Sequence, residues 1–169
     1  MKGKFADLVS YLENLAASHV RLRHTPDEKH FFRFELEEML TGMRSGVNYP
    51  ALILEGYDFN FVDQDADNVH KRLNCGFMIV GKVSDKGDYD AIHLLWDSLE
   101  EIGDEIIIRI LHDKRQRKTN CLAYFSVRSV TGTPLVDMNL IHYGFRYEFQ
   151  LSWPVSNDID PEVWDDIEQ

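Results

Sequence analysis

Cysteine, cations and long apolar runs are all scarce in this chain, and each scarcity excludes something. Two cysteines in 169 residues, Cys75 and Cys121, cannot support a disulfide scaffold. Neither lies in a CxxC pair that would supply metal thiolates, so both are expected as buried thiols. The longest apolar runs, such as Ala51-Leu52-Ile53-Leu54 and Ile106-Ile107-Ile108, fall far short of the ~20 residues of a membrane span. Lys2 and Lys4 precede a segment broken by Asp7, Glu13 and Asn14, so no continuous secretory apolar region forms and cytoplasmic synthesis and folding are expected. Lysine and arginine number 18 against 29 aspartate and glutamate, a formal net charge of −11. That balance argues against nucleic-acid readout, which depends on cations neutralising phosphates, and against binding to an anionic membrane surface.

What remains is ample material for one core. Hydrophobic residues make up 44% and aromatics 12% of the chain, and a chain of this size buries roughly 70% of the surface that it exposes when unfolded. A single α+β domain over residues 1–153 is expected, followed by an acidic tail over 154–169. Phe5, Leu8, Val9, Leu12, Leu15, Ala16 and His19 recur at helical spacing, predicting a helix over 4–19. Thr25-Pro26-Asp27-Glu28 reads as a capping box with proline at the first helical position. With the stripe Phe32, Leu36, Met39, Leu40 and Met43, and Gly46 as its stop, it predicts a second helix in preference to a strand over His30–Phe34. Ala51–Tyr57 reads as a buried strand. Phe59, Phe61 and Asp63 share one side of the next segment, Asp63–Arg72 reads as a loop, and Gly76–Val83 as another strand.

The clearest helix runs over 89–113, capped by Asp88 and striped by Ile92, Leu95, Trp96, Leu99, Ile102, Ile106, Ile110 and Leu111. Gly103 interrupts it at a cost near ~1 kcal/mol, which points to close packing or a bend there. Glu105 and Arg109 are spaced for an i,i+4 ion pair. After a basic hinge come Leu122–Val130, a turn at Thr131-Gly132-Thr133-Pro134, and a last strand. In that strand Tyr143, Phe145, Tyr147, Phe149, Leu151 and Trp153 alternate with His142, Gly144, Arg146, Glu148, Gln150 and Ser152. Alternation of this kind belongs to a mainly antiparallel sheet with one face covered by helices. The tail carries Asp158, Asp160, Glu162, Asp165, Asp166 and Glu168 without a cation, and Asp160-Pro161 is placed to cap a short helix aligning Ile159, Val163 and Ile167 beside Trp164.

Few residues carry the pattern of a chemical site. Asp63, Asp65 and Asp67 imitate the opening of a calcium loop, but Asn68 stands where glycine is required and Asn74 where the bidentate glutamate belongs. A solvated loop, or a contact with a basic partner, suits them better. His19, His24 and His30 form the densest histidine group and flank the helix junction without a second metal-binding pair. No GxSxG turn, phosphate loop or dinucleotide fingerprint occurs, so neither catalysis nor a cofactor is expected. Lys114, Arg115, Arg117 and Lys118 form the one concentrated basic patch, where a helix C-terminus favours cations. Beyond that dipole role, such a patch would pair with acidic loop or tail residues of a neighbouring copy, a head-to-tail contact able to close into a ring. Asp63, Asp65, Asp67, Lys114, Arg115, Arg117, Lys118 and Trp164 are therefore the candidate contact residues.

The order of elements carries a resemblance. Two N-terminal helices, Tyr49-Pro50 leading into Ala51-Leu52-Ile53-Leu54-Glu55, a strand-bearing middle, Ile102-Gly103-Asp104-Glu105-Ile106 within a long helix and the aromatic strand Gly144–Leu151 resemble the tail terminator, or tail completion, proteins of tailed phages and contractile injection particles. The resemblance covers roughly residues 4–153. It implies a structural, non-catalytic protomer of a hexameric ring that caps the tail tube, ends its polymerisation and meets a head–tail connector in the assembled virion or tail-like particle. The acidic extension and the Asp63–Arg72 segment depart from that pattern. Two other classes stay open: a small acidic adaptor or immunity-type protein masking a basic partner, and a ligand-binding or hydrolytic α+β domain.

Overall fold

The computed structural model describes residues 5–33, 47–63, 68–136, 142–156 and 158–166. Helix α1 spans Phe5–Ser18, close to the sequence expectation. Its stripe, Leu8, Val9, Leu12, Leu15 and Ala16, is buried. The segment after it departs from expectation. Thr25 and Glu28 do meet, the Glu28 N–H donating to Thr25 Oγ1 at 2.9 Å. The Thr25 N–H also donates to the Glu28 carbonyl at 3.0 Å, so the capping box closes a turn instead of opening a helix. Phe31–Arg33 then forms strand β1, parallel to β2 (Ala51–Leu54). Burial decides the matter, because Phe31 reaches the core only from an extended chain paired with Leu52. The remainder of the expected second helix, including Leu36, Met39, Leu40, Met43 and Gly46, lies outside the described residues.

All four residues of β2 are buried. Strand β3 (Asp58–Asp63) continues beyond it, and both pair antiparallel with the long strand β4 (Val69–Lys82). The described part of the expected loop over Asp63–Arg72 is mostly strand: Val69 pairs with Asp63 and Arg72 with Asn60. Its polar residues fit a strand because His70 and Arg72 occupy the face away from the helices. Helix α2 spans Tyr89–Arg115, with the Asp88 carboxylate accepting the Ala91 N–H at 2.9 Å. Two short 3₁₀ turns, Asn120–Leu122 and Val127–Ser129, follow. Thr131-Gly132-Thr133-Pro134, expected as a turn, opens strand β5 (Thr131–Val136), where Pro134 is tolerated on a sheet edge. Strand β6 (His142–Pro154) completes a mixed sheet ordered β1-β2-β4-β6-β5, with β3 also on β4.

The β4–β6 ladder, from His70↔Pro154 to Lys82↔His142, forms the axis of the sheet. It sets Leu73, Phe77 and Ile79 beside Leu151, Tyr147 and Phe145 on one face, where they pack with α1 and α2 side chains in the main core. The fold is α+β with helices over this face, as expected. The opposite face is not wholly polar, because Ile53, Met78 and Val80 are buried there with Phe32, Tyr49 and Leu135 packed around them. No described helix is long and apolar enough to cross a membrane. Gly103 admits close packing: a Cβ there would overlap the Tyr147 ring, which stacks on Phe77 with centroids 5.1 Å apart. The Tyr147 hydroxyl lies 2.9 Å from the Glu100 carbonyl and 3.0 Å from Asp104 Oδ1.

Candidate interaction surfaces

The basic segment after α2 divides in two. Lys114 Nζ donates to the Phe125 carbonyl at 2.6 Å, and Lys118 Nζ lies 2.8 Å from Asp113 Oδ1. Asp113, only 2% exposed, also receives Arg109 Nε at 2.9 Å, the Tyr11 hydroxyl at 3.1 Å and His112 Nδ1 at 3.1 Å. Burial pushes its carboxyl pKa up, yet the hydrogen bonds from Lys118, His112, Arg109 and Tyr11 outweigh burial and hold it well below the usual carboxylate range. The same contact and burial push the Tyr11 phenol up. Lys114 and Lys118 therefore clamp the turn after α2 onto the body. Arg115 and Arg117 are exposed and have no partner among the described residues.

Glu105, spaced for Arg109, instead binds Arg21 Nη2 at 2.6 Å and His19 Nε2 at 2.8 Å, while Arg109 takes Asp113 one turn on. The His24 and His30 rings stitch the α1–β1 connection: His24 Nδ1 accepts the His30 and Phe31 N–H groups at 3.1 and 3.2 Å, and His30 Nδ1 meets the Pro50 carbonyl at 2.7 Å. These are packing roles. Among the described residues no group of three or more His, Cys, Asp or Glu side chains is placed to hold a metal ion. Cys75 and Cys121 are buried free thiols, and burial pushes Cys75 up to about 12.

Asp63 ends β3, where it is paired with Val69; Asp65 and Asp67 lie outside the described residues. The larger feature of this strand is aromatic. Phe59 and Phe61 stand on the helix-bearing face and are 49% and 58% exposed. With Tyr57 and Phe5 they form a continuous row, with centroid separations of 4.5, 6.4 and 5.9 Å from Phe5 to Phe61. Lys71 Nζ sits 3.7 Å from the Phe59 ring centroid, a cation–π contact. The sequence places Phe59 and Phe61 on one side; that both side chains are about half exposed is decided by the fold.

On the other face Glu55, just after β2, grips Arg146 Nε on β6 with both oxygens, at 2.9 and 2.8 Å, across Gly76 of β4. A Cβ at Gly76 would overlap the Glu55 carboxylate, so this glycine lets the pair lie flat over β4. Arg146 Nη1 holds Glu148 at 2.8 Å. Asp58, Asn74 and Gln150 line the cavity of about 320 Å³ beside this network.

A second groove, of about 570 Å³, opens where β5 begins and the 3₁₀ turns run along β6. Arg72, Tyr124, Arg128, Ser126, Ser129 and Ser152 are among its lining residues, and no described lining residue is a carboxylate. Ser129 fixes the wall, its hydroxyl donating to the Ser126 carbonyl at 2.7 Å and accepting the Gln150 N–H at 2.9 Å. Tyr124 is half exposed and stands edge-on to His70, with centroids 5.4 Å apart. Arg72 and Arg128 are 56 positions apart in the sequence, so no local pattern announces this pair.

The tail forms no helix over its described residues. Asp160 makes a single turn instead, Oδ1 accepting the Glu162 N–H at 3.0 Å and its carbonyl the Val163 N–H at 3.1 Å. Ile159, Val163 and Trp164 are 62%, 68% and 57% exposed; Ile167 lies outside the described residues. No protein-family model and no curated protein matches the chain in sequence.

Proposed function

We propose that this is a structural assembly protein resembling the phage tail terminators, whose copies join edge to edge into a ring, of six in the resemblance, that caps a tail tube. The observation that supports this reading is β3. Among the described strands it pairs only with β4, and it carries a half-exposed row of aromatic rings. Unpaired strand edges are templates for another chain, and contiguous exposed apolar rows mark contact surfaces. Within the basic patch, only Arg115 and Arg117 are left for intermolecular contact among the described residues. The function is steric and needs no catalytic group: the ring seats on the last tube layer and presents a face that further tube subunits do not match.

Native mass spectrometry over a concentration series tests this. A discrete ring-sized oligomer is expected for the parent chain, and its loss in a Phe59→Ser/Phe61→Ser variant whose circular dichroism is unchanged. A chain that stays monomeric at the highest attainable concentration would overturn self-assembly. It would favour the adaptor reading, which the exposed Ile159, Val163 and Trp164 among tail carboxylates support.

A further inference from the structure

We infer that the groove lined by Arg72, Tyr124, Arg128 and Ser152 is the docking site for the acidic C-terminal segment of a second copy of this chain. The inference rests on the self-association proposed above and names one pair of surfaces that would make it.

Charge is the first argument. The chain has 29 acidic residues against 18 basic ones, and Arg21, Arg33, Arg109 and Arg146 are each bound to a carboxylate of the same chain. Among the described residues, Arg72 and Arg128 have no such partner and no acidic residue lines their groove. The tail supplies the complement: Asp158, Asp160, Glu162, Asp165 and Asp166 within nine positions, without a cation. Guanidinium–carboxylate contacts are the strong, directional kind.

Shape is the second. The groove combines the two arginines with an aromatic face, Tyr124, and hydroxyls already fixed by hydrogen bonds. The tail combines its carboxylates with Trp164, held next to a turn that Asp160 organises. Indole over tyrosine, with carboxylates on the arginines, satisfies both halves. A groove and a turn that are both preformed reduce the ordering cost of binding.

Direction favours a second copy. The last rung of the ladder is His70↔Pro154, and the Val155 N–H donates to the Val69 carbonyl at 2.9 Å, carrying the chain off the end of the sheet. The groove lies back along β6 at Gln150–Ser152. The chain's own Trp164 is solvent-exposed rather than seated there. A groove on one surface and a tail on another make a heterologous contact, which repeats head to tail and closes into a ring when the rotation allows.

The test uses a fluorescently labelled peptide of residues 155–169 added to the full chain, read by anisotropy. Saturable binding is expected, weakening with salt. It should fall at least about tenfold in Arg72→Glu/Arg128→Glu, as for the loss of two charge-assisted contacts, and stay unchanged in Arg115→Glu/Arg117→Glu. Should the β4 substitution impair folding, Arg128→Glu alone, on an exposed turn, gives the same readout. Equal binding to both variants, or none to the parent chain, overturns the site. A photo-cross-linker at position 164 in an equal mixture of ¹⁴N and ¹⁵N chains then decides the source: mixed-isotope adducts support a second copy, and single-isotope adducts alone overturn it. Rings that form with a groove that ignores the peptide would sink this inference and leave the assembly reading standing. A groove that binds the peptide in a chain that never forms rings would do the reverse.

Discussion

Gly103→Ala should destabilise the protein although it improves the helix. In an exposed helix interior the change gains about 1 kcal/mol. Here the new Cβ would overlap two ring carbons of Tyr147 and approach its hydroxyl oxygen to 2.6 Å. The ring cannot step aside freely, because it is stacked on Phe77 and bound to the Glu100 carbonyl and Asp104. Overpacking of this kind costs roughly 1–3 kcal/mol, and tearing the hydroxyl from its partners adds about 1 kcal/mol. Setting about 3 kcal/mol of strain against the helix gain leaves a net loss near 2 kcal/mol, or a Tm lower by roughly 4–8 °C at this chain length. Urea titration followed by circular dichroism and tryptophan fluorescence reads the change as a lower midpoint at constant slope. The cause is isolated in a Tyr147→Leu background, where Gly103→Ala should be neutral or stabilising. An unchanged or raised midpoint in the parent background would refute the packing argument.

Three further outcomes follow from other parts of the molecule. Asp113→Asn strands cations that converge on a buried carboxylate; because Arg109 and Lys118 are each 48% exposed, the loss should be near 3 kcal/mol, the low end for a broken buried pair. The folded-state pKa of Asp113 is depressed, so its contribution is whole above the unfolded value of about 4 and declines as pH falls below it. The parent chain should therefore lose more stability than Asp113→Asn between neutrality and strong acid, measured by urea midpoints at each pH. Cys75 and Cys121 are 3% and 1% exposed, and burial raises both thiols; Ellman's reagent should leave them unmodified in the native protein and titrate both in denaturant. Glu55→Gln should weaken the tie between β2 and β6 by about 1–2 kcal/mol, a half-buried charge-assisted hydrogen bond; an unchanged urea midpoint would count against that role.

The amino-acid sequence alone determined the elements whose signals are local and mutually consistent. The α1 stripe, the Asp88 cap with its 27-residue helix, and the strict alternation of β6 each repeat one period over many residues, so burial and propensity agree. Gly103 was legible as a place of close packing for the same reason. Tertiary structure decided whatever depends on what lies opposite. Thr25 and Glu28 make the hydrogen bond that the capping box promises, but Leu52 offers Phe31 a strand partner and the helix is lost there. Residues 69–72 look like a loop until Asn60 and Ser152 flank Arg72 in the sheet. The basic run Lys114–Lys118 is a uniform patch in sequence, and only the fold commits two of its lysines to Asp113 and the Phe125 carbonyl while leaving two arginines free. The Arg72–Arg128 groove has no linear signature, because a surface formed by a strand and a distant turn exists only once the sheet has assembled. Periodicity records which side of an element is apolar; how far that side is buried, as with the half-exposed Phe59 and Phe61 of β3, is settled by what the fold packs against it.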